Sequence, residues 1–181
     1  MRLRDAGLAG ALGVLLVVLV VLTVPQVLAQ LPPSQGQIQP GTVLRIGNFT
    51  YSPNPSWTEE RARIHRGEVS VISKDGQELQ VRSIPASTSS QAYVAAAKQL
   101  SGSKAASIGS GAPIITPTGL HGLRGTFVSP AGDGTLATFG VRPNSPVAGG
   151  VAFVATNQGD NGGGAPQEVD AMINSVRESS S

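Results

Sequence analysis

Residues 68–84 read EVSVISKDGQELQVRSI, two runs rich in β-branched residues around an Asp-Gly pair, a strong short-range signal for a β-hairpin. Two registers compete. A two-residue Asp75-Gly76 turn pairs Val71 with Gln80 and Val69 with Arg82, whereas a three-residue Lys74-Asp75-Gly76 loop pairs Val71 with Leu79 and Val69 with Val81. A one-residue slip carries every side chain to the other face, so the register that matches apolar with apolar is the expected one. It places Gly76 at the left-handed position of a bulged loop, with positive φ.

Outward from the hairpin, TSSQAYVAAAKQLSG at 88–102 has helical spacing: Thr88 and Gln91 stand at capping-box distance, Tyr93, Ala96, Ala97 and Leu100 share a stripe, and Gly102 is a stop. Three strand signals follow, at 123–129, 135–141 and 151–156, separated by turn-forming PAGDG and RPNSPVAGG. They predict an antiparallel meander, preceded by an extended segment at 114–116. The closing stretch APQEVDAMINSVR predicts a helix, with Pro166 at its first position, Glu168 and Asp170 near the positive end of its dipole and Arg177 near the negative end. Val169, Met172, Ile173 and Val176 follow i, i+3, i+4, i+7 and form its core stripe. NQGDNGGG before it reads as a flexible loop.

The order of an extended pair with an aromatic loop (GNFTYSPNPSW), hairpin, helix, meander and a terminal helix containing EVDAMINSV resembles the PsbP-like sandwich of small exported proteins, including mycobacterial LpqN-type envelope proteins. Three lysines beside ten arginines fit an actinobacterial source. The likeness spans 42–177 as a pattern of elements, without a sharp motif, and the lipobox cysteine of LpqN-type proteins is missing. It implies a binding or accessory role and transfers no catalytic residue. The expected fold is α+β: an antiparallel sheet of about five to six strands with two packing helices, plus an N-terminal apolar helix.

That N-terminal helix is expected from LLVVLVVLTVPQVLAQ at 15–30, within an uncharged run of 20 residues from Ala6 to Pro25 preceded by Arg2 and Arg4. About 20 apolar residues suffice to cross a bilayer, which favours a retained anchor. Pro25 and the Val27-Leu28-Ala29 sequence, similar to a signal-peptidase site, favour cleavage after Ala29. Both alternatives put Gln30 onward outside the cytoplasm. The polar stretch QLPPSQGQIQPG at 30–41 reads as a tether, 42–178 as a single domain and 179–181 as a tail.

Composition narrows the chemistry. The chain of 181 residues has no cysteine, which excludes disulfides, thiolate metal sites and a cysteine nucleophile. Beyond the first five residues, 11 basic side chains face 10 acidic ones, so the pI of about 9.4 marks no polyanion surface. Nucleic acid is not an expected partner. SIGSGAP around Ser110 lacks the spacing of a nucleophile elbow. His65 lies among arginines in RARIHRG, and His121 lies between glycines at a strand entrance in TGLHGLRG. GDNGGG at 159–164 is a single copy of a glycine-rich pattern that binds calcium only in stacked repeats. Asn48-Phe49-Thr50 is a glycosylation sequon. No metal or cofactor is expected.

The one concentrated feature is aromatic: Phe49, Tyr51 and Trp57 lie within nine residues, out of seven aromatics in the chain. Such a loop can stack on a sugar or hold a peptide; alternatively, its rings plug the open end of the sandwich. The expected function is a non-catalytic extracytoplasmic binding or accessory module, secreted or held in the cell envelope, with an envelope protein or a glycan as partner. Two alternatives stand beside it: a membrane-anchored structural or sensor domain that contacts the membrane through residues 6–25, and a small hydrolase pairing His121 with a carboxylate such as Asp133.

Overall fold

The computed structural model describes residues 35–60, 67–86, 88–102, 107–130, 132–142, 149–157 and 167–179. The expected N-terminal helix, Pro166, His65 and the glycine-rich 159–164 stretch lie outside them. No helix among the described residues is long and apolar enough to cross a membrane.

The centre is the hairpin of β5 (Val69–Lys74) and β6 (Gln77–Ile84). Its turn is the two-residue one, and the expected three-residue register is overturned: Val71 faces Gln80, Val69 faces Arg82, and Ile72 faces Leu79. Asp75 and Gly76 have φ of 48° and 78°, the pair of positive values a type I′ turn requires. The expectation assumed that only one sheet face is apolar. Both are covered here, so Val71 is fully buried on one face and Ile72 on the other. Positive φ at Gly76 is common to both registers.

Strands β9 (His121–Ser129), β10 (Gly132–Gly140) and β11 (Gly150–Asn157) form the expected antiparallel meander, and β11 pairs with β6. β8 (Ala112–Ile115) and β7 (Ser107–Ile108) pair with β9, while β4 (Thr58–Glu60) and β1 (Gln35–Gln37) extend the other side. These nine strands make one sheet. A second sheet holds β2 (Leu44–Ile46), β3 (Phe49–Tyr51) and β12 (Arg177–Glu178) in the order β12-β3-β2.

This corrects the expected α+β sandwich of five to six strands. Strand takes 52% of the described residues and helix 18%, and the main sheet alone exceeds the expected number. The unforeseen strands are two or three residues long and mostly polar. Edge pairing rests on backbone hydrogen bonds, which leave no side-chain period to detect. For the same reason Gln35–Gln37, within the stretch expected to be a tether, is a strand paired with β4, and Ile38 after it is buried.

Helix α1 (Ser89–Gly102) covers one face of the main sheet. Thr88 caps it, its Oγ1 accepting from the Gln91 N–H at 3.2 Å. Ala92, Tyr93 and Ala96 meet Ile84, Phe127, Leu136, Ala152 and Val154. The helix approaches closely because β9 has no side chain at Gly125: a Cβ there would stand 2.0 Å from Tyr93 Oη. Tyr93 donates to the Gly109 carbonyl at 2.6 Å.

Helix α2 (Gln167–Asn174) and the small sheet cover the other face, where Val169, Met172, Ile173 and Val176 meet Ile72, Leu79, Val81, Phe139 and Phe153. Full burial of each such side chain contributes roughly 1.5–3 kcal/mol. The helix is shorter than expected. Ser175 Oγ donates to the Met172 carbonyl at 2.7 Å and accepts from the Ser52 N–H at 2.9 Å, competing with helical bonding. Arg177 therefore starts β12 instead of completing a last turn.

Candidate functional site

The aromatic residues singled out in the sequence converge, but in the core. Phe49 and Tyr51 alternate with Thr50 on the inward face of β3 and are each 2% exposed; Trp57 is fully buried. The Tyr51 ring meets Phe153 edge-on at 5.5 Å, and Phe153 meets Phe139 at 6.0 Å. Tyr51 Oη shares a hydrogen bond with Ser70 Oγ at 3.0 Å. Burial pushes the Tyr51 phenol above its usual range against the opposing effect of that hydrogen bond, and the nearby Glu59 charge adds to the rise. None of the three rings presents a face to solvent.

Trp57 uses its polar edge to fasten α2. Its Nε1 donates to Glu168 Oε2 at 2.8 Å, and Lys74 Nζ donates to both oxygens of the same carboxylate at 2.8 and 2.9 Å and to Ser56 Oγ at 3.1 Å. The hydrogen bonds from Lys74 and then Trp57 lower the Glu168 pKa below its ordinary value, outweighing partial desolvation. A second ion pair, Arg124 Nη2 to Asp170 Oδ1 at 2.6 Å, ties the same helix to β9.

The His121–Asp133 pair does not come together. Gly122 faces Phe139 and Val128 faces Asp133, so His121 and Asp133 lie at opposite ends of the β9–β10 hairpin. Seven residue steps of strand separate their levels, roughly 24 Å. Alternation also aims them at opposite faces of the sheet. Ser110 is exposed in the loop between β7 and β8. Among the described residues no group of three or more His, Asp or Glu side chains is placed to hold a metal ion.

A different surface has the form of a binding site. Beside α2 on its face of the main sheet, a groove of about 510 Å³ is lined by Arg124, Thr126, Val128, Asp133, Thr135, Ala155 and Asn157, with Gly125, Phe127 and Gly134 contributing to its walls. That volume falls in the range of small-ligand sites. The register builds it. Thr126 faces Thr135, Val128 faces Asp133, Thr135 faces Ala155 and Asp133 faces Asn157. Alternation brings all six to one side. Arg124 faces Ala137, four residues from Asp133 along β10, so guanidinium and carboxylate mark the two ends of a cleft roughly 14 Å long.

The side chains of Thr126, Asp133, Thr135 and Asn157 make no hydrogen bond among the described residues. Thr135 is 5% exposed, yet its hydroxyl is not sealed from solvent, so that exposure opens into the groove. Sequence reasoning passed over these residues. Their signal is the alternation of polar and apolar residues in RGTFV and GDGTLA, visible as a site only once the register sets the two strands together. Neither a protein-family model nor a curated protein matches the chain, so the reading of the groove rests on its residues alone.

Proposed function

We propose that this domain is a non-catalytic binding or accessory module working outside the cytoplasm, and that the β9–β10–β11 groove is its contact surface. The observation that carries the reading is the row of unengaged hydroxyl, carboxylate and amide groups on a face otherwise sealed by α2 and the small sheet. Rigid strands hold these groups, which favours recognition by preorganisation. Among the described residues, the groups with clearly displaced titration, Tyr51, Tyr93 and Glu168, have structural causes in burial or in the fastening of α2. The element order that resembles small exported envelope proteins supports an accessory role, and the charged-then-apolar N-terminus supports export.

The test is photo-crosslinking in cells that make the protein, with a photoreactive residue at Thr126 in the groove or at Val94, which is 68% exposed on α1 across the sheet. The expected result is a discrete crosslinked species from Thr126 alone, in a membrane or secreted fraction. Equal crosslinking from both positions, or a cytoplasmic native protein, would falsify it. Intact mass of the same native protein decides whether residues 6–25 are kept, which makes the module an anchored one.

A further inference from the structure

Building on the groove as the contact surface, we infer that its ligand is a neutral, hydroxyl-rich chain: a short oligosaccharide laid across β9, β10 and β11, gripped at one end by Asp133 and Asn157. These two residues face one another directly on neighbouring strands. Directly opposed side chains start with Cβ atoms about 4.5–5.5 Å apart, which presents a carboxylate and an amide side by side. A carboxylate accepts two hydrogen bonds in one plane, and an amide donates and accepts. Together they match two adjacent hydroxyls on a sugar ring.

The rest of the cleft continues the pattern. Thr126 and Thr135 form a cross-strand pair of hydroxyls in its middle, each able to donate and accept, and they line the groove with Val128 and Ala155. At the far end, the Arg124 guanidinium spends Nη2 on Asp170 and lines the groove. A guanidinium carries five N–H donors, so others are left for a ligand oxygen.

The charge pattern excludes the main competitors. One guanidinium stands against two carboxylates, Asp133 and Asp170, and Arg124 is already paired with one of them. An anionic ligand would meet an uncompensated Asp133. Among the described lining residues a polycation would find a single exposed carboxylate and no acidic run. A neutral ligand rich in paired donors and acceptors can hydrogen-bond every group in the cleft, the exposed Asp133 carboxylate included, and brings no like charge to either end.

The test uses the full chain, isotope-labelled and kept in solution with a detergent that carries no sugar, titrated with neutral trisaccharides of gluco, manno and galacto configuration and with tri-alanine as a peptide probe. The expected result is saturable movement of amide resonances confined to 124–128, 133–135 and 155–157 with at least one trisaccharide. Asp133→Asn and Asn157→Ala should each weaken that binding at least tenfold while leaving the thermal midpoint unchanged. Movement of these resonances by tri-alanine alone overturns the oligosaccharide and leaves the binding module standing. Silence from every probe also overturns it, and if Thr126 gives no crosslink in cells either, the groove falls as a contact surface as well.

Discussion

Glu168 receives two donors of different kinds, the buried indole N–H of Trp57 and the ammonium of Lys74. The pair of substitutions Glu168→Gln and Glu168→Ala separates them. Glutamine keeps an acceptor for Trp57 and loses the ion pair, which at 35% exposure is screened and costs about 0.5–1 kcal/mol. Alanine also strands the indole N–H, and the expected cost rises to about 1–3 kcal/mol, measured by urea denaturation. The lowered folded pKa has a definite sign. Above the ordinary value of 4.5 the ionised carboxylate contributes in full; as pH falls through the lower folded value, protonation removes the contribution. The gap in thermal midpoint between the natural chain and Glu168→Gln should therefore narrow below pH 4.5 and close in stronger acid. Trp57, the only tryptophan, reports the same event by fluorescence. If the gap persists unchanged in acid, the ion pair is not its source. The aromatic cluster was legible in the sequence as a cluster, whereas the polar partners of its two buried heteroatoms, Ser70 and Glu168, lie 19 and 111 residues away along the chain.

At the scale of elements, the turn and the helix packing each rest on a glycine. Gly76 sits at φ 78°, so Gly76→Val should cost about 1–2 kcal/mol through the left-handed backbone alone, with the fold retained by circular dichroism. Gly125 leaves the space Tyr93 fills. Gly125→Ala should lower the free energy of unfolding sharply, and Tyr93→Phe by about 1 kcal/mol through the lost hydrogen bond to Gly109. Combined, they should cost less than their sum, because removing the hydroxyl removes the atom that the new methyl strikes. Strict additivity would place the clash elsewhere. The existence of α1, α2 and the meander was readable from periodicity and turn residues. The hairpin register was not, since residues 69–72 carry apolar groups toward both faces and the two loops differ in backbone sign at Asp75, whose φ is positive here, and not at Gly76.

For the molecule as a whole, the main sheet is thick in the middle and thin at its margins. β6, β11 and β10 are paired on both sides and, away from the groove, covered on both faces, while β1 is held by three residue pairs to β4 alone. Hydrogen exchange should follow this order, with β1 amides exchanging through local opening and those of β6, β10 and β11 only through global unfolding. Equal protection across the sheet would contradict it. The sequence announced the interior strands through their apolar runs. The margins were invisible because Gln35–Gln37 and Thr58–Glu60 contribute backbone and little buried side chain.

The position of β1 also has a mechanical meaning. Any load delivered through the residues before Gln35 reaches the domain at this outermost strand, and its three rungs to β4 take the strain before β5 feels anything. Peeling of β1 would break those three rungs and free a few residues of slack, with β4, β5 and β6 standing between it and the nearest groove-bearing strand, whose pairings it leaves untouched.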